Sequence, residues 1–169
     1  TGKLVITKTV DGENITESEF EGALKFTVQN EDGKYLDKDG NLVEETSEAR
    51  LLTLKDGGFV KGDDGKHTKT FENVAVGKYT VKETNSDIPG YDLVTDKSTT
   101  NGEATIAAGE TKTIELKDVY KKKTAPEEEG TLIITKPVAG GYITESAFEG
   151  APKFTVQNED GKYLDKDGN

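Results

Sequence analysis

The sequence predicts an all-β domain built as a sandwich of two sheets, and three observations support this fold class. Short segments rich in Val, Ile, Thr, Tyr and Phe alternate with turn residues. No stretch of the 169 residues shows a helical stripe, and only 16–20 is compatible with a single helical turn. The hydrophobic fraction is 31%, which suits a thin core between two sheets better than a large α/β enzyme.

Turn residues delimit the predicted strands. Asp39-Gly40, Asp64-Gly65 and Pro89-Gly90 mark chain reversals, because Gly tolerates positive φ and Pro cannot continue a central strand. The segment DKDGN at 37–41 has closely spaced carboxylates but not the spacing of a calcium loop, so it is interpreted as a β-turn. The predicted strands are 3–10, 23–29, 50–54, 68–74, 77–84, 91–97, 103–107 and 111–120.

Charge and composition exclude several classes of function. The chain has 22 Lys and Arg against 33 Asp and Glu, a net charge of −11, which repels nucleic acid and anionic membranes. Neither is therefore predicted as a partner, and no apolar run reaches the length of a membrane span. Cysteine is absent, so disulfides and thiolate chemistry are excluded, and we predict no metal and no cofactor. The single histidine, His67, is expected at the surface.

The chain contains an internal repeat with an offset of 130 − 2 = 128 residues. Residues 2–41 and 130–169 differ at eight positions only, which in the first copy are 3, 5, 9, 11, 13, 14, 19 and 24. We predict a complete module at 2–120, a charged linker at 121–129 and the first third of a second, near-identical module at 130–169. The second segment alone buries too little apolar surface to stay folded, so an ordered form of it needs a partner.

Three predicted strands each direct one ionisable side chain to their apolar face. Successive side chains of a strand point to opposite faces, so residues of the same parity lie together. Burying a single charge costs several kcal/mol, roughly, whereas a cluster of compensating groups is tolerated. The three faces are Leu4, Ile6, Lys8 and Val10; Tyr79, Val81 and Glu83; and Ile114, Leu116, Asp118 and Tyr120.

From the residues alone, two interpretations of Lys8, Glu83 and Asp118 stay open. In the structural one, Lys8 forms a buried ion pair, or the three side chains lie near sheet edges and extend to water. In the chemical one, burial favours a neutral amine and a neutral carboxyl group, which are a nucleophile beside an electrophile. Glu83 then carries protons between them, and the product is an amide from Lys8 Nζ to Asp118 Cγ with loss of water.

Three segments resemble the Cna B-type repeat, the prealbumin-like (Ig-like) β-sandwich of Gram-positive surface adhesins and pilins. They are ITKTV at 6–10, FENVAVGKYTVKETNSDIPGY at 71–91 and ELKDVY at 115–120. The middle segment has the form G-x-Y-x-V-x-E followed by P-G-Y, and the last ends in [N/D]-x-Y. The resemblance covers the whole first module and the opening third of the second, so it implies a Cna B-type sandwich followed by a truncated second copy.

The resemblance implies an intramolecular isopeptide bond between the first and last strands. Its residues map onto Lys8 and Asp118 as the cross-linked pair and Glu83 as the catalytic carboxyl group. Most members of this family use Asn and release ammonia, whereas Asp118 changes the leaving group to water. In this respect the chain is similar to the streptococcal fibronectin-binding module that was split into a peptide-ligation pair. Lys136 occupies the Lys8 position of the second copy, and its partners are expected beyond residue 169.

The favoured function is structural. We predict a stalk or spacer repeat of a cell-wall-attached adhesin or pilus-like protein on a Gram-positive surface, which contacts neighbouring repeats of its own chain. Glu83 acts once on its own chain, so the module is not a turnover enzyme. One alternative is a module that binds a host matrix protein through the loops at 30–49 and 55–67. Another is strand donation, in which residues 130–169 replace the opening strands of a second copy and build head-to-tail fibres.

Overall fold

The computed structural model describes residues 1–124 and 131–167. The chain divides into two compact units, Thr1–Pro126 and Glu127–Asn169, and each is described by itself. Of the predicted linker 121–129, residues 125–129 lie outside the described residues, and Lys121 and Lys122 are the end of a strand.

The first unit is a β-sandwich, which confirms the predicted all-β fold class. Its strands are β1 (Gly2–Gly12), β2 (Lys25–Asn30), β3 (Tyr35–Leu36), β4 (Leu42–Val43), β5 (Val60–Lys61), β6 (His67–Val74), β7 (Gly77–Asn85), β8 (Tyr91–Leu93), β9 (Asn101–Ile106) and β10 (Thr111–Lys122). They form two five-stranded sheets, with the orders β5-β6-β1-β10-β8 and β4-β3-β2-β7-β9.

The first and last strands of the module are neighbours in the first sheet. β1 lies in the centre, parallel to β10 on one side and antiparallel to β6 on the other. In this register Lys8 lies opposite Leu116, and Val10 lies opposite Asp118. Lys8 and Asp118 are therefore close on the same inward face, because Asp118 is one inward position further along β10 than Leu116.

The second sheet brings Glu83 to the core from the opposite side. β7 is the longest strand of this sheet and pairs antiparallel with the central strand β2 and the edge strand β9. The alternating burial of β7 places Tyr79, Val81 and Glu83 inside, as their shared parity predicts. Phe26 of β2 lies opposite Glu83 and is fully buried. The side chain of Glu83 therefore meets the first sheet across the sandwich.

The core is apolar and lies between the two sheets. Aliphatic and aromatic side chains fill it, and this is where most of the favourable burial energy of the module arises. Its buried members are Leu4, Ile6, Phe20, Leu24, Phe26, Val28, Leu36, Leu52, Leu54, Phe71, Val74, Tyr79, Val81, Ile88, Tyr91, Ile106, Ile114, Leu116 and Tyr120.

One predicted strand is wrong and one is too long. Residues 50–54 form no strand, and Leu52 makes only an isolated bridge to Phe26 after a 3-10 turn at Glu48–Arg50. The apolar residues of 50–54 are explained by burial, since Leu52 and Leu54 contribute to the core from a loop. The strand predicted at 91–97 ends at Leu93, because a second 3-10 turn follows at Thr95–Lys97.

The predicted helical turn at 16–20 is confirmed as helix α1 (Glu17–Phe20). The Glu19 carboxylate accepts hydrogen bonds from the backbone N–H of Thr16 at 2.7 Å and from its hydroxyl at 2.8 Å. These contacts provide a hydrogen-bond acceptor for the donors of Thr16 at the N-terminus of the turn. The turn buries Phe20 against the core, so it closes one end of the sandwich near the start of β6.

The second unit contains helix α2 (Glu145–Phe148) and an isolated bridge between Gln157 and Tyr163. Its apolar side chains are exposed: Leu132 is 65%, Ile134 57% and Phe154 58% exposed. The residues at the equivalent positions of the first unit, Leu4, Ile6 and Phe26, are all 0% exposed. In the second segment, apolar side chains at positions that form the core of the first unit are therefore exposed. That it is a truncated second module stays a prediction.

Candidate functional site

The structure brings Lys8, Glu83 and Asp118 into one cluster inside the sandwich. Lys8 Nζ lies 3.2 Å from Glu83 Oε2 and 2.5 Å from Asp118 Oδ1. All three side chains have 0% of their surface exposed. The inward orientation inferred from strand parity is therefore correct for each of them, and β1, β7 and β10 each supply one member.

The approach of Lys8 to Asp118 is unusually close. Charge-assisted N–H···O bonds are about 2.7–2.9 Å long, and the Nζ–Oδ1 distance of 2.5 Å is shorter. The contact also lacks the angles of a hydrogen bond, since Asp118 Oδ1 has no hydrogen-bond partner among the described residues. The amine therefore crowds the carboxyl group without being held in an ordinary hydrogen bond. The contact of Lys8 Nζ with Glu83 Oε2, by contrast, is a hydrogen bond.

The surroundings of the cluster are apolar and exclude water. Lys8 Nζ lies 5.5 Å from the centre of the Phe26 ring. Ile6 and Leu116, neighbours of Lys8 and Asp118 on the inward faces of β1 and β10, are at most 1% exposed. In such a site an isolated charge is expensive, so each of the three polar groups depends on the other two as partners.

Burial raises the pKa of Glu83 to about 8, with the neighbouring Asp118 adding to the increase and Lys8 opposing it. Glu83 is therefore protonated at neutral pH and can donate a proton as well as accept one. Lys8 and Asp118 together hold the same number of protons whether they form an ion pair or are both uncharged. Proton transfer from Lys8 to Asp118 thus converts one form into the other without exchange with solvent.

Tyr120 is a fourth member of the cluster that sequence reasoning missed. Its hydroxyl lies 3.1 Å from Asp118 Oδ2 and 2.6 Å from the backbone carbonyl of Ser86. The sequence predicts only that Tyr120 lies on the apolar face of its strand. The available signal was its spacing of two from Asp118, which places both side chains on the inward face of β10.

The expectation that His67 lies at the surface is wrong. His67 is 4% exposed, and its Nε2 lies 2.9 Å from Glu17 Oε1. Its ring packs edge-on against Phe20 at 5.9 Å between ring centres. His67 opens β6 directly opposite Lys8, and the parity of β6 directs it inward. The sequence predicts a loop at 55–67 and a strand from residue 68, whereas the strand begins at the histidine itself.

Other sequence-predicted features lie away from this cluster. Lys136 is exposed in the second unit. The DKDGN segment at 37–41 is a turn, in which the Asp37 carboxylate accepts the backbone N–H of Asp39 and of Asn41 and Gly40 has a φ of 86°. Across 1–124 and 131–167, no three His, Cys, Asp or Glu side chains are grouped to hold a metal ion. In the same ranges no helix is long and apolar enough to cross a membrane.

Comparison with protein families gives one match. Residues 4–121 match the model of DUF5979, described as a domain of unknown function. The chain belongs to the DUF5979 family. The match begins at the first core residue of β1 and ends within β10, so the DUF5979 domain contains all four residues of the cluster. Comparison with the curated proteins gives no match for this chain.

Several solved pilin structures are similar to the DUF5979 chain at low identity. The group B streptococcus pilus 2b backbone protein is 20% identical, with a TM-score of 0.38 over 71% of this chain and 41% of its own. The minor pilin GBS52 of Streptococcus agalactiae is 15% identical, with a TM-score of 0.41 over 76% and 48%. The shaft pilin SpaA of Lactobacillus rhamnosus GG is 21% identical, with a TM-score of 0.38 over 73% and 48%. The DUF5979 chain thus spans less than half of each pilin.

Proposed function

We propose that residues 2–120 form a self-cross-linking spacer module of a Gram-positive cell-surface adhesin or pilus-like protein. The observation that carries the proposal is the 2.5 Å approach of Lys8 Nζ to Asp118 Oδ1, with Glu83 at 3.2 Å in a site closed to water. The near-identical repeat at 130–169 supports a spacer, because length is gained by copying such modules. The absence of cysteine fits a domain reinforced by an amide.

The reaction joins an amine and a carboxyl group of the same chain. Lys8 first gives a proton to Glu83, with which it forms a hydrogen bond, and Glu83 gives its own proton to Asp118, which leaves a neutral nucleophile beside a neutral acid. The Nζ lone pair then attacks Cγ, the nitrogen loses a proton to Glu83, and Glu83 returns a proton to the departing oxygen. The products are an amide, one water molecule and an unchanged Glu83. The module reacts once and is not a turnover enzyme.

The bond alters how force passes through the module. β1 and β10 are parallel neighbours, so opposite forces on the chain ends shear one strand along the other. With the amide in place, force enters at Lys8 and leaves at Asp118, and residues 9–117 lie outside the load path. The two sheets then remain folded under a load that would otherwise extend the chain.

A single-molecule pulling experiment tests this mechanical function. The unlinked Lys8→Ala module is expected to release roughly 110 residues on unfolding, about 350–400 Å at 3.3–3.6 Å per residue. The wild-type module is expected to give no extension step of that length. A wild-type step as long as that of Lys8→Ala contradicts the proposal.

Strand donation between copies is a second candidate function, favoured by the exposed core residues of the second unit. Residues 130–138 carry Leu132, Ile134 and Lys136 in the order of Leu4, Ile6 and Lys8. In the place of β1 of another copy, Lys136 would meet Asp118 and Glu83 of that copy. A ladder of covalent oligomers on a denaturing gel, abolished by Lys136→Ala, is the expected result. Monomers alone at high protein concentration would refute this candidate.

Binding of a host matrix protein through the loops at 30–49 and 55–67 stays a prediction. A pull-down with the first module tests it, and saturable binding that is lost on exchange of either loop is the result that favours it.

A further inference from the structure

The hydroxyl group of Tyr120 contacts the reacting carboxyl group through the oxygen that Lys8 does not approach. Lys8 Nζ lies beside Oδ1, whereas Tyr120 Oη lies 3.1 Å from Oδ2. The same hydroxyl is 2.6 Å from the backbone carbonyl of Ser86. Tyr120 is 2% exposed, so protein atoms rather than solvent satisfy its hydroxyl.

The hydroxyl has one proton for these two neighbours. The Ser86 carbonyl can only accept a hydrogen bond, so the short contact with it requires the Tyr120 proton. The pKa of Tyr120 is raised by burial and further by Asp118 and Glu83, so the phenol keeps its proton. The Tyr120 hydroxyl also lies within hydrogen-bond distance of Asp118 Oδ2, at 3.1 Å. With its proton directed to the shorter contact with Ser86, a second full hydrogen bond needs a proton on Oδ2, donated to Tyr120 Oη.

We propose that Tyr120 fixes the acid proton of Asp118 on Oδ2 and thereby leaves Oδ1 as the carbonyl oxygen beside Lys8. This inference rests on the proposed cross-linking function and assigns Tyr120 a part in it. The hydrogen-bond chain runs from Asp118 Oδ2–H to Tyr120 Oη–H to the Ser86 carbonyl. It stabilises the uncharged acid, the form of Asp118 that an amine can attack.

The proton position decides which oxygen leaves. The Nζ lone pair forms a bond to Cγ, and the π electrons of the Cγ–Oδ1 double bond move to Oδ1. Glu83 takes a proton from the nitrogen and returns one to Oδ2, which already holds the other. The Cγ–Oδ2 bond breaks, Oδ2 departs as water beside Tyr120 and Ser86, and Oδ1 stays as the amide oxygen. Atoms and protons balance without any further reactant.

The matched pair of variants is Tyr120→Phe and Tyr79→Phe. Tyr79 is also 2% exposed, and its hydroxyl donates to the backbone carbonyl of Ala75 at 3.1 Å. Each variant therefore loses one buried hydroxyl and leaves one carbonyl without its donor. Only Tyr120→Phe removes a contact to the reacting carboxyl group, so only it is expected to slow the chemistry.

The experiment follows amide formation in the freshly made full chain. A short pulse of cell-free synthesis is chased for increasing times, quenched in denaturant, and the linked fraction is read by intact mass. Tyr120→Phe is expected to link about 10- to 100-fold more slowly than wild type. This is at or below the lower end of the roughly 10²- to 10⁴-fold effect of a group that itself transfers a proton, because Tyr120 only positions one. Tyr79→Phe is expected to link at the wild-type rate.

A pH series separates the chemical effect from a structural one. Without Tyr120 the uncharged acid is less stable, so the fall in rate at high pH is expected to begin at a lower pH in Tyr120→Phe. Each variant is also combined with Lys8→Ala, which prevents amide formation. Circular dichroism of these chains gives the folded fraction without the cross-link. A wild-type rate and pH profile for Tyr120→Phe, or a slowing fully accounted for by unfolded chain, overturns the inference. A wild-type chain that never loses water instead refutes the proposed function itself.

Discussion

Replacing Glu83 by Gln tests the cross-link with little change in shape. The Gln side chain can still accept the Lys8 hydrogen bond, and the Lys8–Asp118 pair is retained. What is lost is a carboxyl group that both donates and accepts protons, and loss of such a group slows reactions by about 10²–10⁴. We therefore expect freshly made Glu83→Gln to fold without the amide. Lys8→Ala or Asp118→Ala is less clean, because each leaves a buried charge without its partner.

The structure gives the size of the expected loss in stability. The amide closes a loop from Lys8 to Asp118, about 110 residues, which by the chain-entropy relation for cross-links constrains the unfolded state by about 5 kcal/mol. For a module of about 120 residues, each kcal/mol corresponds to roughly 4 °C in the melting temperature. Unlinked Glu83→Gln is therefore expected to melt about 20 °C below the wild type.

The assay combines thermal unfolding by circular dichroism with the intact mass of the same sample. Glu103→Gln is the matched control, because Glu103 makes an exposed ion pair with Lys78 at 2.7 Å on the neighbouring strands β9 and β7. It is expected to keep the wild-type mass and nearly the wild-type melting temperature. The reasoning is refuted if Glu83→Gln links as rapidly as the wild type, or if its unlinked form melts together with the wild type.

Three further predictions follow from the same cluster and its sheets. Asp118→Asn is expected to form the amide with loss of ammonia, so its mass should be one ammonia below that of its own sequence. A fully folded Asp118→Asn chain with its full sequence mass contradicts the mechanism. Since the reactive form needs the proton that Glu83 holds with a pKa of about 8, the linking rate should fall about tenfold per pH unit above that value, and a rate that rises through this range contradicts it. Gly102→Ala places a Cβ 2.5 Å from Ile114 Cγ2 and is expected to destabilise the module by about 1–3 kcal/mol in chemical denaturation. The control Gly22→Ala meets no atom within 4 Å, and an equal loss of stability there would show that the crowding at Ile114 is not the cause.

Strand alternation predicted the inner faces of β1, β7 and β10 well because each strand is long and has one buried face. On such strands a register shift of one residue would expose the whole apolar set, so parity and burial agree. Lys8, Glu83 and Asp118 could be found in this way because charged residues among apolar neighbours are conspicuous in the sequence. Their mutual distances could not be found, since these depend on how β1 pairs with β10 and how the sheets face each other.

Strand alternation does not predict the two-residue strands or the core residues that lie in loops. A strand of two residues, such as Tyr35–Leu36 or Leu42–Val43, has no period to detect. The segment 50–54 is apolar because Leu52 and Leu54 fill the core from a loop, and an apolar run alone does not distinguish this from a strand. His67 was misplaced for a related reason, because the contact that shields it comes from Glu17, fifty residues earlier in the sequence.

The hydroxyl of Tyr120 shows a further limit of sequence reasoning. An aromatic residue on an inward face is adequately explained by packing. The spacing of two places Tyr120 on the same face as Asp118, but it does not reveal that the hydroxyl also reaches the Ser86 carbonyl. The contact with Ser86 depends on the tertiary fold, which places the loop after β7 beside Tyr120 of β10.

The intact mass of the purified wild-type chain is the most direct test of the self-cross-linked module, when read together with the peptide map of the digested protein. The account predicts a mass one water below that of the sequence, with the loss confined to a branched peptide that joins Lys8 to Asp118. A folded chain with the full sequence mass, in which both residues appear in separate unmodified peptides, would contradict it.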